Sequence, residues 1–445
     1  MNSQIVSDSP TKRKTIGPWA QLAILLLVSL AVRLALAPIL MNTRDRRDYI
    51  SSAHKTLRYG VARYYEPSDE YHGVPNDAGQ RGVPLTYPPI QIYCYWVVGH
   101  VYNWIDPGFK EITGRRNLPY GSITLNYLIK IPLFLFDLLL TAAIFWFLRS
   151  RTGDRMALLC AALYSLNPAV LFVGALWAQP DSIHSAFLVL AVGFLIGRSP
   201  VLSLTAMTLA LLSKPQPMVF APLVLLLVAM RHLLKDSLRA VLAAAGAALI
   251  VFLPLLVDDN RVSLIANMIS VIRRVNPVVS ANAHNFWWLV LSPMGIDPRR
   301  LDDQTVVFFG LSYFVISLLI VLGIYVVVAT DVVKKARDHL SVEPFAYLGL
   351  AFFVFGVRMH ENHSIQILPL LVMTGLALTH QRIVFGLLSL AFLSNMALHS
   401  PEITGQDTGG VVQFARVLNS ALVVGVFAYW SFEIYRRRRT VSHDL

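Results

Sequence analysis

Two aspartates that could accept a proton follow the first long apolar stretch of the chain. Asp45 and Asp48 lie in the sequence Arg44-Asp45-Arg46-Arg47-Asp48-Tyr49. A carboxylate held beside an apolar cleft can act as a general base and take the proton of a hydroxyl group. The same two side chains could instead form a solvated pair that balances the adjacent arginines. The residue types therefore allow a catalytic carboxylate without requiring one.

A second polar group, Trp177-Ala178-Gln179-Pro180-Asp181, stands between two apolar runs. Asp181 could simply cap the helix that follows, because acidic residues are favoured in the first helical turn. Trp177 could be an aromatic residue at the membrane interface. Since a tryptophan, an amide and a carboxylate are closer together here than those roles need, we interpret the turn as part of a site.

Two basic segments could supply cations for a phosphate group. Lys214 interrupts two short apolar runs, either as a lysine that reaches the membrane surface or as a phosphate partner. Arg358-Met359-His360-Glu361 offers further donors at another helix end. The following His363 is one place too early for the zinc-protease helix motif, so we predict no metal site.

Other polar residues have a structural and a functional interpretation. The segment from Asn282 to Trp288, which contains His284 and Asn285, could be a sugar platform or an interfacial anchor. Arg33 and Asp137 lie within apolar runs, where charges are costly and are usually paired. They could form a structural pair or contribute to substrate binding.

The composition predicts a polytopic membrane protein. Of the 445 residues, 55% are apolar and only 14% are charged, and the mean hydropathy is +0.56. The net charge of +12 comes from short basic clusters between apolar runs. Such clusters orient membrane helices, so nucleic-acid binding is not predicted.

Twelve apolar runs are long enough, or nearly so, to span a bilayer, which takes about 20 residues. They cover residues 20–40, 125–148, 156–175, 182–197, 200–213, 216–231, 238–257, 306–330, 343–358, 365–380, 383–399 and 413–435. With twelve spans, every Lys/Arg cluster from Lys12-Arg13-Lys14 to Arg436–Arg439 falls on the cytoplasmic side, and so do both termini. We therefore predict an all-α, single membrane-embedded domain over residues 1–445.

The segment from Ile90 to Ile105 is the exception, because a thirteenth span there would move every later basic cluster outside. We expect an interfacial helix instead. It would lie in a long extracytoplasmic first loop, residues 41–124, with a second large outer loop at residues 258–305. Apart from Arg33 and Asp137, which lie within the apolar runs, all the polar groups described above then share the outer side.

The chain has no phosphate-binding loop, no dinucleotide fingerprint and no Asp-x-Asp pair for a nucleotide-sugar. Because nucleotides are absent outside the cell, an outward-facing transferase would draw its activated group from a lipid carrier.

These motifs, in this order and on one side, resemble the GT-C superfamily of polytopic glycosyltransferases. Within it the chain resembles the dolichyl-phosphate-glucose glucosyltransferases of the N-glycan pathway and prokaryotic mannosyltransferases. Asp48-Tyr49 matches the acidic motif of the first loop, and Tyr87-Pro88-Pro89-Ile90 matches a segment that opens a juxtamembrane helix. The Trp177–Asp181 turn resembles Trp-Gly-Gln-x-Asp, with Ala178 in place of glycine. Lys214-Pro215-Gln216 resembles a Lys-Gln motif. Arg358–Glu361 resembles a His-Glu-Lys motif that contacts the carrier phosphate, although Asn362 replaces the lysine.

The resemblance implies an inverting, metal-independent transfer of mannose or glucose from a polyprenyl-phosphate sugar to a glycan, lipid-linked or protein acceptor. Asp48 would be the general base, with Asp45 or Asp181 as alternatives. His360, with Arg358 or Lys214, would stabilise the leaving phosphate, and no cofactor is implied. The expected substrate-binding residues are Tyr87, Trp177, Gln179, Lys214, His284, Asn285, Arg358, His360 and Glu361.

A secondary transporter with twelve helices is the main alternative, and a non-enzymatic scaffold is another. Transporters usually show related halves and a binding site near the membrane midplane, whereas these halves look unlike. The expected location is the plasma membrane, or the endoplasmic reticulum membrane in a eukaryote.

Overall fold

A computed structural model describes residues 16–39, 42–71, 79–85, 87–256, 261–274, 277–335, 340–405 and 409–443. Most of the described chain is helical. The first half contains α1 (Pro18–Leu36), α2 (Thr43–Tyr59), α3 (Pro89–Ile105), α4 (Ile123–Thr152), α5 (Asp154–Ser165), α6 (Pro168–Leu171), α7 (Asp181–Ile196), α8 (Pro200–Leu211) and α9 (Ala221–Arg231). The second half contains α10 (Leu234–Leu256), α11 (Arg261–Arg273), α12 (Phe286–Leu291), α13 (Tyr313–Lys335), α14 (Glu343–Phe355), α15 (Ile367–Val372), α16 (Thr379–Ala397), α17 (Pro401–Thr404) and α18 (Gly410–His443). The predicted all-helical class is thereby confirmed in its main feature.

Each of the twelve predicted runs contains a helix, but the helices differ in length. Within the described ranges, five are long and apolar enough to cross a membrane: α1, α4, α10, α13 and α18. A sixth is obtained if α5 and the bent continuation Pro168–Leu176 count as one span. The number twelve therefore stays a prediction.

The run predicted for residues 306–330 is partly wrong. Val306–Phe308 (β1) and Leu311–Ser312 (β2) form a small antiparallel hairpin, in which Val306 pairs with Ser312. The helix begins only at Tyr313. Gly310, with φ +79°, provides the left-handed backbone that a tight turn needs.

Some of the predicted basic clusters lie outside the described residues. These are Lys12, Arg13 and Lys14 at the start of the chain and Arg337.

The first loop folds around a packed pair of helices, α2 and α3. Gly99 of α3 lies against the backbone of α2, where an added Cβ would come within 2.4 Å of the Ala53 carbonyl oxygen. Tyr49 and Tyr95 stack across the same contact, with ring centroids 5.7 Å apart. Lys55 of α2 is 1% exposed and donates to the carbonyls of Glu66 and Gly82. The predicted helix after Tyr87-Pro88-Pro89 is therefore present, and it contributes to a compact loop structure.

Charges within the apolar helices are paired or donate to backbone oxygens. Arg33 of α1 lies 3.2 Å from Asp137 of α4, and Tyr164 donates to the other oxygen of Asp137. Lys130 donates to the carbonyls of Ala37, Ile39 and Leu176. The predicted Arg33–Asp137 contact therefore exists and joins three helices in the core.

Candidate active site

Four separate segments bring polar side chains to one place. The first turn of α2 supplies Asp45, and the turn before α7 supplies Trp177 and Gln179. Asp181 begins α7, and the turn after α8 supplies Lys214. A short 3₁₀ helix, Glu361–Ser364, supplies Asn362. We call Asp45, Trp177, Gln179, Asp181, Lys214 and Asn362 the polar cluster.

Asp45 is held by the predicted turn. Its Oδ2 accepts hydrogen bonds from Trp177 Nε1 at 3.0 Å and from Gln179 Nε2 at 2.7 Å. Burial raises the pKa of Asp45, with a further contribution from the charge of Glu361, while the bond from Trp177 opposes the shift. Trp177 thus binds a carboxylate through its indole, which an interfacial anchor would not do.

Asp181 is fully buried and accepts bonds at both oxygens. Lys214 Nζ lies 2.9 Å from Oδ1, and Asn362 Nδ2 donates to Oδ2 at 2.8 Å. Lys214 is itself only 2% exposed. Lys214 therefore does not reach the membrane surface, because its ammonium group neutralises a buried carboxylate.

Gln179 and Asn362 connect the two carboxylates. Asn362 Nδ2 donates to Gln179 Oε1 at 3.2 Å, and Tyr87 OH donates to the same oxygen at 3.4 Å. The other end of the Gln179 amide donates to Asp45. A continuous series of hydrogen bonds therefore runs from Trp177 and Asp45 to Asp181 and Lys214.

Asp48 lies at the rim of the polar cluster, one helical turn after Asp45. Its side chain is 19% exposed, and Arg115 of the first loop pairs with its Oδ1. The other carboxylate oxygen accepts no hydrogen bond from the described part of the chain. Burial raises the pKa of Asp48 to about 6, against the lowering effect of Arg115 and with a further increase from the charge of Asp45.

Ala178, in the turn between Trp177 and Asp181, has a backbone conformation that suits glycine. Ala178 has φ +69°, in the left-handed region that glycine enters more easily than residues with a Cβ. The backbone here turns sharply enough for Trp177 and Gln179 to reach the same oxygen of Asp45.

Glu361 and His360 stand next to Asn362. Glu361 is 5% exposed, and its Oε2 is buried with no hydrogen-bond partner among the described residues. His360 Nδ1 lies 3.7 Å from that oxygen, and its side chain is 32% exposed. His360 thus lies nearer the solvent, and Glu361 lies close enough to Asp45 to raise its pKa.

Arg358 pairs with a carboxylate that is not part of the polar cluster. It pairs with the fully buried Asp303 of the segment between α12 and α13, while 32% of its own side chain stays exposed. Its guanidinium also lies 5.7 Å from the ring of Phe314.

His284 and Asn285, like Arg358, have no contact with the polar cluster among those the structure gives. His284 lies 3.0 Å from His399 through the two Nε2 atoms and receives a bond from Asn419. Asn285 caps α12 and donates to the carbonyls of Phe353 and Gly356. Their proposed role in substrate binding stays a prediction.

Two arginines and one amide of this region are not predicted by the sequence. Arg115 is 67 positions from Asp48, and no pattern links them. Arg46 is 9% exposed, and its Nε and Nη1 find no acceptor among the described residues. Asn362 stands out in the sequence only as a departure from a lysine, although its amide joins Gln179 to Asp181.

Groups of three or more His, Cys, Asp or Glu side chains placed to hold a metal ion do not occur in the described ranges. The expected absence of a metal stays a prediction.

Residues 80–404 match the model of the ALG6, ALG8 glycosyltransferase family. Together with the long apolar helices, this match identifies a membrane-embedded enzyme of the glycosyltransferase class. The chain belongs to that family. The predicted resemblance and the predicted enzyme class are confirmed, which argues against the secondary transporter.

A curated relative from Caenorhabditis elegans is described as a probable dolichyl pyrophosphate Man9GlcNAc2 alpha-1,3-glucosyltransferase. It is 25% identical over 334 residues, which are 71% of this chain and 60% of the relative. The match therefore spans less than two thirds of that protein's length.

Two solved structures of ArnT from Cupriavidus metallidurans are similar to this chain at 15% identity. The complex with undecaprenyl phosphate has a TM-score of 0.47, over 94% of this chain and 72% of its own. The apo form has a TM-score of 0.49, over 92% of this chain and 76% of its own.

Proposed function

We propose that this protein transfers a hexose, mannose or glucose, from a polyprenyl-phosphate sugar to a glycan, lipid-linked or protein acceptor. The observation that carries the proposal is the placement of Asp48. Its carboxylate is partly exposed, has one oxygen that accepts no hydrogen bond from the described residues, and lies beside a buried polar cluster that matches the family's motifs. A group that must take a proton from a substrate needs this access.

The proposed reaction inverts the anomeric carbon. The acceptor hydroxyl oxygen forms a bond to the anomeric carbon while its proton passes to Asp48. The bond from that carbon to the phosphate oxygen breaks, and the polyprenyl phosphate leaves with the electron pair. The residues of the cluster are fixed before the substrate arrives, which favours charge stabilisation during the reaction.

The three carboxylates suit different roles. Asp181 is fully buried with both oxygens occupied, so it fits a positioning role better than that of a base. Asp45 has two donors on one oxygen and remains the alternative base. Asp48 is the least constrained of the three and is our preferred base.

The developing negative charge of the phosphate needs a cation that can be reached. His360 and Arg358 are each about one-third exposed, whereas Lys214 is buried against Asp181. We therefore prefer His360 with Arg358 over Lys214. Arg46 is a further candidate, because its buried Nε and Nη1 have no acceptor among the described residues, and burying such a group is costly unless an anion is supplied.

The topology belongs to the same proposal. Twelve spans, both termini in the cytoplasm and a GT-C-type core would place Asp48 and the polar cluster on the extracytoplasmic side. The outer loops at residues 41–124 and 258–305 would then carry the base and the partner of Arg358. The membrane would be the plasma membrane, or that of the endoplasmic reticulum in a eukaryote.

The test is sugar transfer by the purified protein from short-chain polyprenyl-phosphate mannose and from the glucose analogue, followed as release of polyprenyl phosphate. Asp48→Asn should lower the rate by about 10²-fold or more, as expected for loss of a general base. Asp69→Asn is the matched control, because Asp69 is an exposed aspartate of the same loop. A rate for Asp48→Asn equal to that of the control would assign the base elsewhere, with Asp45→Asn and then Asp181→Asn as the next variants.

The same assay tests whether Arg46 contributes to binding of the phosphate-bearing donor. Arg46→Gln should raise the KM for the donor, whereas Arg47→Gln, at the exposed neighbouring position, should not. Equal donor KM values for the two variants would remove Arg46 from the proposal.

A further inference from the structure

A cavity of about 960 Å³ lies between α13, α14 and α18, and its described lining includes no residue of the polar cluster. It is at the end of these helices that carries Lys334-Lys335 and Arg436–Arg439, the end predicted to be cytoplasmic. Its lining is apolar along the helices and charged at the rim. The family reaction, as proposed above, leaves this cavity without a role.

The rim of the cavity carries charges of both signs. Among the lining residues that the structure describes, the cations are Lys335, Arg437 and Arg438, and the carboxylates are Asp331 and Glu343. Asp331 serves two of the cations, with Lys335 Nζ at 3.0 Å and Arg438 Nη2 at 3.1 Å. Glu343 is shared among Arg437, His380 and Trp430. Asp331 is thus shared between two cations, and Glu343 between one arginine and two further side chains.

Arg438 has a donor to spare. Its Nε is buried and has no acceptor among the described residues, although 38% of the side chain is exposed. A buried donor without a partner costs stability unless an acceptor is supplied. The exposed part of the Arg438 side chain leaves room at the rim for an additional negatively charged oxygen.

The apolar part continues directly from this rim. Gly323, Val327, Asp331 and Lys335 line the cavity at intervals of four residues, which places them on one face of α13. The face extends over about 18 Å, at 1.5 Å per residue. A Cβ added to Gly323 would meet nothing within 4 Å, and α13 is one of the five long apolar helices. A dissolved anion would use only the charged rim, whereas an amphiphile would use the whole surface.

We propose that this cavity binds one anionic phospholipid, with its phosphate at Arg438 and Lys335 and an acyl chain along the Gly323 face of α13. Basic pockets between membrane helices on the cytoplasmic side bind such head groups. The site is separate from the transfer reaction, so it does not depend on which sugar is moved.

Native mass spectrometry of the full-length protein, with dioleoyl phosphatidylglycerol and dioleoyl phosphatidylcholine in turn, tests the proposal. The two lipids have the same acyl chains and differ in net charge. The wild type should retain one phosphatidylglycerol at least about fivefold more strongly than phosphatidylcholine, since about 1 kcal/mol per cation corresponds to that ratio. Equal retention would overturn the proposal.

Matched variants locate the lipid. Arg438→Gln and Lys335→Gln should each reduce the preference by about fivefold, whereas Arg436→Gln and Lys334→Gln, whose residues lie outside the lining, should preserve it. Gly323→Leu should weaken retention of both lipids by filling the apolar part. Equal effects of the lining and control variants would show non-specific surface attraction and overturn the site. Displacement of the lipid by millimolar glycerol 3-phosphate alone would assign the rim to a dissolved anion.

Discussion

At the scale of single residues, the contact between Asp48 and Arg115 controls when the proposed base can act. A general base must be ionised to accept a proton. Burial raises the pKa of Asp48 to about 6, and Arg115 lowers it against that trend. The value of kcat/KM should therefore rise with pH through about 6 and level off above it, because only the carboxylate form of Asp48 is active.

Arg115→Ala should move this acid limb to higher pH. Without the guanidinium, the pKa of Asp48 rises further, so more of the carboxyl group is protonated and inactive at a given pH. The measurement is the pH profile of kcat/KM for polyprenyl phosphate release. Arg115→Lys should restore part of the shift, and Arg116→Ala, at an exposed neighbour, should leave the profile in place. An unchanged limb in Arg115→Ala would show that the pair does not govern the base.

The residue types by themselves indicate much of the candidate site. The sequence predicts that Asp45, Trp177, Gln179, Asp181 and Lys214 contribute to one site, and hydrogen bonds do join them. The role of Arg115 cannot be predicted in this way, because an ion pair between residues 67 positions apart depends on how the first loop folds. Asn285 looks equally suited to a sugar, yet its amide satisfies backbone carbonyls. Composition cannot distinguish these two uses of an asparagine.

At the scale of elements, the site depends on how closely α2 packs against α3. Gly99 permits this contact, and a methyl group there would meet the Ala53 carbonyl oxygen at 2.4 Å. Asp45 and Asp48 are on α2, so a displacement of that helix would move both carboxylates away from Gln179 and Arg115.

Gly99→Ala should therefore lower both stability and transfer rate. Overpacking of a close contact typically costs about 1–3 kcal/mol, which should appear as a lower Tm in detergent. Gly121→Ala is the control, because nothing lies within 4 Å of its added Cβ. A variant with the Tm and rate of the wild type would show that α2 and α3 can separate without disturbing the site.

Hydropathy predicts where helices occur better than where they end or bend. The run at residues 156–175 is broken at Asn167, whose side chain caps α6 just before Pro168, and the two parts meet at 44°. The run that begins at residue 306 starts with a hairpin, because Val306–Phe308 is apolar but pairs as a strand. An apolar stretch indicates that a segment has apolar surroundings. It does not indicate which hydrogen bonds the backbone of that segment forms.

At the scale of the whole molecule, the count of spans decides which side each group faces. Helix α3 has 17 residues and packs on α2. If α3 crossed the membrane, every later segment would exchange sides. Whether α3 crosses the membrane therefore also decides on which side the later basic clusters lie.

Cysteine labelling of intact cells tests whether α3 crosses the membrane. The two native cysteines, Cys94 and Cys160, are first replaced by serine, and then Thr113→Cys or Ser341→Cys is introduced at an exposed position. With α3 outside the membrane, an impermeant maleimide should label Thr113→Cys directly and Ser341→Cys only after permeabilisation. The reverse pattern would place α3 across the membrane.

The hydrogen bonds of the polar cluster also fix the direction of every amide in it. The Gln179 amide nitrogen must face Asp45, because its oxygen receives Asn362 and Tyr87, and Asn362 in turn must face Asp181. The loss of rotational freedom of these side chains has therefore already occurred during folding. The site therefore has two parts: the hydrogen-bonded polar cluster forms a rigid floor, and the more exposed side chains form an adaptable rim. Under the proposed function, substrates would reorganise only the more exposed groups, Asp48, Arg358 and His360, so the acceptor and the lipid carrier could vary in shape while the floor keeps a single geometry.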